Sequence, residues 1–291
     1  MSRQQSAGFE TGSVSELVAR ALAEDIGSGD VTSLAIVPET ARAEARIVQK
    51  QPGVVYGLDL AREVFSQVGA EHFEALETEA GWRDTVPVDI VTITGPSRAL
   101  LAGERTALNL LGHLSGIATL TAAFVERVRD SGAEILDTRK TTPGLRLLEK
   151  AAVVAGGGVN HRVGLHDAIL IKENHLAIAG GLLRAVELAR AAHPELEIEV
   201  ECSSADEVAQ ALAVGAERLL LDNMDEAGLL AAVAARDEAG SDAKLEASGG
   251  ITLSNAAAVA ATGVDQISVG ALTHSAPALD FSLLLEPERT R

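Results

Sequence analysis

Three cations follow closely on short apolar runs. Arg139 and Lys140 come after Glu134-Ile135-Leu136-Asp137, and Lys172 comes after Asp167-Ala168-Ile169-Leu170-Ile171. The placing stands out because Lys and Arg number 24 against 42 Asp and Glu, a net charge of −18. Lysine occurs only at Lys50, Lys140, Lys150, Lys172 and Lys244. A positive island in an acidic protein suits a small anionic ligand, because fixed cations in a low-dielectric cleft select anions. The guanidinium fork matches carboxylate and phosphate in particular. The loop Gly156-Gly157-Gly158-Val159-Asn160-His161-Arg162 adds His161 and Arg162 to the set. The competing reading is that these cations pair with acids at the same rim.

Two carboxylates end further apolar runs, Glu201 and Asp222. Facing one cavity, they could hold Mg²⁺, bind sugar hydroxyls or stabilise a cationic transition state; the plainer alternative is a salt bridge to Lys140 or Lys172. Ser248-Gly249-Gly250 and Val269-Gly270-Ala271 follow the next two runs. Glycines let backbone N–H groups approach an oxyanion, and paired glycine turns on consecutive late strands suit a phosphate. Arg105 sits in a long apolar stretch in line with Asn109, Gly112 and Gly116. It calls for an anionic partner in Glu104, a neighbouring chain or a substrate, whereas the two glycines read as sites of close helix packing.

The elements that must position these residues form two patterns. Up to about residue 104, strands at 42–47, 54–56 and 89–93 mix with helices at 10–25 and 60–68, as in an α+β layer. Beyond it, strands at 134–137, 167–171, 197–200, 218–221, 244–247 and 266–269 alternate with Ala- and Leu-rich helices. Regular βα alternation implies a parallel sheet, open or closed into a barrel, with ligands at the carboxyl ends of the strands. The tail 277–291 lies beyond the last strand and is placed with the first domain. Thr106–Val125 lacks Asp, Glu, Lys and Arg and is long enough to span a bilayer, but Asn109, His113 and Ser115 interrupt it, so it reads as a buried helix. The polar start carries no secretory pattern, and with the single Cys202 read as structural, the expected location is the cytoplasm. The acidic balance and seven aromatic residues (five Phe, one Trp, one Tyr) exclude general nucleic-acid or anionic-membrane binding. His72, His113 and His193 read as bystanders.

The motifs carry a resemblance. Glu104-Arg105-Thr106-Ala107-Leu108-Asn109, Asp137-Thr138-Arg139-Lys140-Thr141, Gly156-Gly157-Gly158-Val159-Asn160-His161-Arg162, Leu170-Ile171-Lys172-Glu173-Asn174-His175, Leu221-Asp222-Asn223, Glu246-Ala247-Ser248-Gly249-Gly250 and Val269-Gly270-Ala271-Leu272-Thr273-His274 resemble, in order and spacing, the quinolinate phosphoribosyltransferases. That resemblance implies an N-terminal α/β sandwich over residues 1–110, joined by the tail 276–291. An open α/β barrel, TIM-like with fewer strands, would occupy 111–275. It implies a homodimer or larger assembly with active sites at the subunit interface, and a Mg²⁺-dependent reaction. In that reaction quinolinate and phosphoribosyl pyrophosphate give nicotinate mononucleotide, pyrophosphate and CO₂.

By the same resemblance, Arg139, His161, Arg162 and Lys172 grip the quinolinate carboxylates, with Arg105 supplied by the partner subunit. Thr138 and Lys140 join the substrate site, and Lys140, Glu201 and Asp222 serve the ribose, the pyrophosphate and Mg²⁺. Ser248, Gly249, Gly250, Val269, Gly270 and Ala271 resemble the 5′-phosphate cradle, with His274 nearby. The departures are Glu173 where relatives often have Asp, Ala247 before Ser248, and Cys202 after Glu201; none removes a charge from the pocket. Three rival readings are a Schiff-base enzyme using Lys140 or Lys172, a non-catalytic binder, and a relative acting on nicotinate without decarboxylation.

Overall fold

The computed structural model describes residues 11–288. In chain order the elements are α1 (Thr11–Ile26), α2 (Val31–Ile36), β1 (Arg42–Gln49), β2 (Gly53–Val54), α3 (Leu58–Gln67), β3 (His72–Ala75), β4 (Trp82–Arg83), β5 (Val88–Pro96) and α4 (Ser97–Val128). They continue with β6 (Glu134–Leu136), α5 (Arg146–Ala155), β7 (Ile169–Ile171), α6 (Glu173–Ala179), α7 (Leu182–Ala192), β8 (Ile198–Cys202) and α8 (Ala205–Ala213). The last are β9 (Arg218–Asp222), α9 (Glu226–Glu238), β10 (Lys244–Ser248), α10 (Ala256–Ala261), β11 (Gln266–Ser268), α11 (Ala271–His274) and β12 (Phe281–Pro287). The chain divides into two compact units, residues 1–120, 147–156 and 276–291 against 121–146 and 157–275.

The first unit is built on a four-stranded sheet of order β12-β1-β5-β3, its pairs antiparallel, beside a small β2-β4 pair. Alternation along β1 sends Ala43, Ala45 and Ile47 into the core and leaves Arg42, Glu44 and Arg46 on the other face. There Arg46 bridges to Asp89 at 2.7 Å and Glu286 at 2.9 Å. The core adds Ile90, Val91 and Ile93 from β5, Phe65 and Val64 from α3, Val18 and Leu22 from α1, and Leu100, Leu108 and Leu111 from α4. Helix α4 is long and apolar enough to cross a membrane by length and composition, but more than half of its most apolar stretch is buried. It is a core helix, as its polar interruptions suggest.

The tail lies against α4 where the side chains vanish. Leu279 donates its N–H to the Gly112 carbonyl at 2.9 Å, and a Cβ at Gly116 would fall 2.1 Å from the Pro277 carbonyl oxygen. Gly116→Ala is therefore expected to destabilise the fold by about 1–3 kcal/mol through overpacking. That exceeds the helix-propensity gain of about 1 kcal/mol, because the opposing atom is backbone. A urea midpoint at or above wild type would contradict it. Arg105 is exposed on α4, so burial does not oblige it to find an internal partner.

The second unit holds a six-stranded parallel sheet of order β6-β11-β10-β9-β8-β7, with the first strand beside the last. Each strand falls where the sequence places one. Register and pleat sort its residues into two faces. Ile171, Ile198, Val200, Cys202, Leu219, Leu221, Leu245, Ala247, Ile267 and Ile135 share one face and are buried. The other face carries Glu199, Glu201, Arg218, Asp222, Glu246, Ser248, Gln266 and Ser268. Cys202 thus packs with the apolar shell, where burial pushes its thiol up to about 12, an inert structural cysteine.

Candidate active site

The polar face and the loops at the carboxyl ends of its strands gather most of the candidate residues of the second unit. After β6 come Thr138, Arg139 and Lys140. The Lys140 N–H donates to Thr138 Oγ1 at 3.1 Å and its carbonyl accepts from Thr273 Oγ1 at 2.8 Å. A Cβ at Gly270 would meet Lys140 Cδ at 3.1 Å and His274 Nε2 at 3.3 Å, so these three sit together. Val269 is buried and donates its N–H to the Leu136 carbonyl, and Ala271 opens α11. Gly249 and Gly250 have φ of +96° and +62°, a conformation that a side chain resists.

Lys172 caps α6, with its backbone N–H donating to His175 Nδ1 at 3.0 Å, and its ammonium meets the Glu201 carboxylate. The rim pairing weighed from sequence is thus real for this pair. An ammonium held by a carboxylate is a poor Schiff-base nucleophile, which counts against that chemistry at Lys172. Arg139 differs: its Nε is buried with no hydrogen-bond partner, and it enters no ion pair among the described residues. Arg162 is held below its ordinary pKa by burial and by the like charge of Arg139. Two neighbouring guanidiniums, one with a buried donor left over, leave N–H groups of the kind that pair with a planar oxyanion.

Beneath them lies a buried array of which only His161 was among the sequence-derived candidates. His161 Nε2 is 3.0 Å from Glu199 and 3.4 Å from Glu246, and Arg218 stands 3.6 Å from Glu246. Both glutamates are almost wholly enclosed. Burial pushes the Glu199 carboxyl up; burial does the same to Glu246, but His161, Ser268 and Arg218 outweigh it and hold that group down. On His161 burial favours the neutral ring, and so does the Arg162 N–H donating to Nδ1 at 2.7 Å. Two buried carboxylates outweigh that desolvation, and the imidazole rises to about 9. That favours the imidazolium at neutral pH; in that state Nδ1 carries a proton and cannot accept the Arg162 N–H, so the cation and the Nδ1 hydrogen bond are alternatives. The sequence signal for the array was alternation, Glu199 with Glu201 and Glu246 with Ser248.

Asp222 closes β9 and accepts from Asn223 Nδ2 at 2.9 Å. Arg105 belongs to the first unit. There, His113 lies 2.8 Å from the buried Glu149. His72 and His193 are exposed.

Comparison with known proteins bears on the chain as a whole. Family models described as the N-terminal and C-terminal domains of quinolinate phosphoribosyl transferase match residues 30–115 and 117–284. A protein of Mycobacterium leprae (strain TN) named nicotinate-nucleotide pyrophosphorylase (carboxylating) is 46% identical over 271 residues, covering 92% of this chain and 95% of that one. A human protein of the same name is 41% identical over 255 residues, covering 86% and 85%. The solved nicotinate-nucleotide pyrophosphorylase of Francisella tularensis superposes with a TM-score of 0.89 at 39% identity, covering 94% of this chain and 96% of that one. The structure titled NadC from Streptococcus pyogenes gives 0.89 at 38%, covering 95% and 97%.

Proposed function

The chain belongs to the quinolinate phosphoribosyltransferase family, and from that premise we propose how its own residues carry the reaction. The enzyme transfers phosphoribosyl from phosphoribosyl pyrophosphate to quinolinate, giving nicotinate mononucleotide, pyrophosphate and CO₂ in NAD biosynthesis. The pyridine nitrogen bonds to C1 of the ribose as the C1–O bond breaks and its electron pair leaves with pyrophosphate. The ring nitrogen is then cationic. It draws in the electrons of the bond to the adjacent carboxylate, CO₂ departs, and a proton replaces it on carbon.

Arg139, Arg162 and Lys172 grip the two carboxylates, with His161 adding its charge from below. The single observation that carries this reading is the buried, unpartnered Nε of Arg139 beside Arg162. Lys140 and Thr138 face the ribose and pyrophosphate, and Glu201 and Asp222 stabilise positive charge developing at C1. Ser248, Gly249, Gly250, Val269, Gly270 and Ala271 cradle the 5′-phosphate, with His274 beside Gly270. Hard carboxylate oxygens suit Mg²⁺: Asp222 commits Oδ2 to Asn223, and its other oxygen, with Glu201, would hold the ion. When bound, Mg²⁺ neutralises charge on the departing pyrophosphate.

The parallel sheet is read as curling into an open barrel. His161 donates its N–H to Asp137 Oδ1 just past β6, yet its ring touches Glu199 on β8, four strands away in the sheet order. Four steps across a flat sheet span about 19 Å, beyond the reach of an imidazole. We assign a homodimer or larger assembly in which the partner's copy of α4 supplies Arg105. Its support is α2, where Val31 and Ile36 are each 75% exposed and Leu34 is 54% exposed. A cytoplasmic location suits the single reduced, buried Cys202.

The test is an assay with quinolinate, phosphoribosyl pyrophosphate and Mg²⁺ that follows CO₂ and mononucleotide together. Equal release is expected, with none when nicotinate replaces quinolinate. Arg139→Ala should raise the KM for quinolinate by at least about tenfold, since a charge-assisted pair to a buried carboxylate is lost. An unchanged KM would remove Arg139 from the carboxylate site.

A further inference from the structure

Two non-glycine residues among those described have positive φ, Ala80 and Asn223. Asn223, at φ +53°, directly follows Asp222 at the end of β9. Residues with a Cβ resist this conformation, asparagine least of them. What the strain supports is local and specific. The Asn223 backbone N–H donates to the Ser248 carbonyl at 2.8 Å, extending the tie between β9 and β10 past their last register pair, Asp222 with Ser248. Its Nδ2 donates to Asp222 Oδ2 at 2.9 Å. Its Oδ1 lies over Gly249 so closely that a Cβ there would fall 2.1 Å away. One side chain therefore touches the Asp222 carboxylate at one end and the glycine turn at the other.

We propose that Asn223 is a positioning residue that fixes the Asp222 carboxylate relative to the Ser248-Gly249 turn. This rests on the reading above, in which Asp222 serves the reacting end of phosphoribosyl pyrophosphate and the turn holds its 5′-phosphate. A substrate gripped at two ends reacts at a rate set by the separation of the grips, and an error of about 1 Å costs as much as 10²-fold. Asn223 also explains why the residue after Ser248 must be glycine: besides its positive φ, any side chain there would displace the amide.

Asn223→Gly keeps the backbone conformation and removes both side-chain contacts. The expected result is a kcat lowered by at least about tenfold and a raised KM for phosphoribosyl pyrophosphate. The KM for quinolinate and the melting temperature should stay near wild type. Asn223→Asp, which keeps the shape but sets a second carboxylate against Asp222, should be slower still, and it decides the matter if the glycine variant does not fold. Gly249→Ala should lose activity in both backgrounds, because φ of +96° strains any side chain, and should lose more in the wild type, where the Asn223 amide also stands in its way. Wild-type kinetics in both Asn223 variants, with Asp222→Asn impaired at least tenfold in kcat, would overturn the role of Asn223 and leave that of Asp222 standing. Wild-type turnover in Asp222→Asn as well would overturn both.

Discussion

Lys140→Ala is expected to lower kcat by about 10²–10³, the loss typical when one preorganised charge is withdrawn from a transition state. The KM for quinolinate should move by less than about threefold, because a group that acts on the leaving side is not part of ground-state binding of the pyridine. The structure gives the reason. The Lys140 backbone is tied on both sides, to Thr138 and to Thr273, and the stem of its side chain runs beside Gly270. Its ammonium enters no salt bridge among the described residues, whereas that of Lys172 is paired with Glu201. A cation held by its backbone but not neutralised is free to meet the charge that grows on departing pyrophosphate. Glu201→Ala should also lower turnover, but it releases Lys172 and so should disturb quinolinate affinity more than Lys140→Ala does. Steady-state kinetics with each substrate varied separates the two. Wild-type turnover in Lys140→Ala would remove it from the chemistry.

The contrast between these lysines marks how far the sequence alone could go. All six parallel strands were legible because each apolar run ends in a polar residue or glycine, which is what the carboxyl edge of a ligand-binding sheet requires. Boundaries moved where side chains replaced ladder bonds. The run Val54-Val55-Tyr56 reads as a strand, yet pairing stops at Val54, because the Tyr56 N–H donates to Ser115 Oγ on α4. Asp167 and Ala168 read as the start of β7, yet Asp167 instead accepts from the N–H groups of Val163 and Gly164 and closes a loop. Helix α10 starts only at Ala256, since Asn255 bonds the Thr252 N–H and the Gly250 carbonyl ahead of it. The strands β3, β4 and β12 were missed because two are short or exposed and the third is paired with a strand more than 200 residues earlier. Glu199 and Glu246 were passed over for a different reason. A parallel strand is normally apolar on both faces, so a lone acid inside one reads as an interruption and not as half of a polar layer.

That polar layer yields the other large effect. Glu246→Gln leaves His161 and Arg218 with one buried carboxylate fewer, and removing one partner from a buried charge array costs about 3–5 kcal/mol. The pH dependence should change with it. In the wild type the His161 imidazole titrates at about 9 when folded, against an ordinary value of 6.5. The folded state therefore binds more protons than the unfolded state between those values, and stability falls as pH rises through that window. The contribution is complete below pH 6.5 and gone above about 9, a span worth about 3 kcal/mol. With Glu246 neutral the imidazole pKa drops, because burial and the Arg162 N–H on Nδ1 then face Glu199 alone. The slope of unfolding free energy between pH 6.5 and 9 should flatten, and the ring proton resonances of His161 should titrate at lower pH. Because Nδ1 accepts from the Arg162 backbone, the deprotonated ring should also hold Arg162 more firmly, so quinolinate affinity should depend on pH less through Arg162 than through the lost charge. An imidazole that titrates near its ordinary value in the wild type would show that the peptide dipole and burial prevail over the two glutamates, and would make His161 a neutral brace for Arg162 instead of a cation.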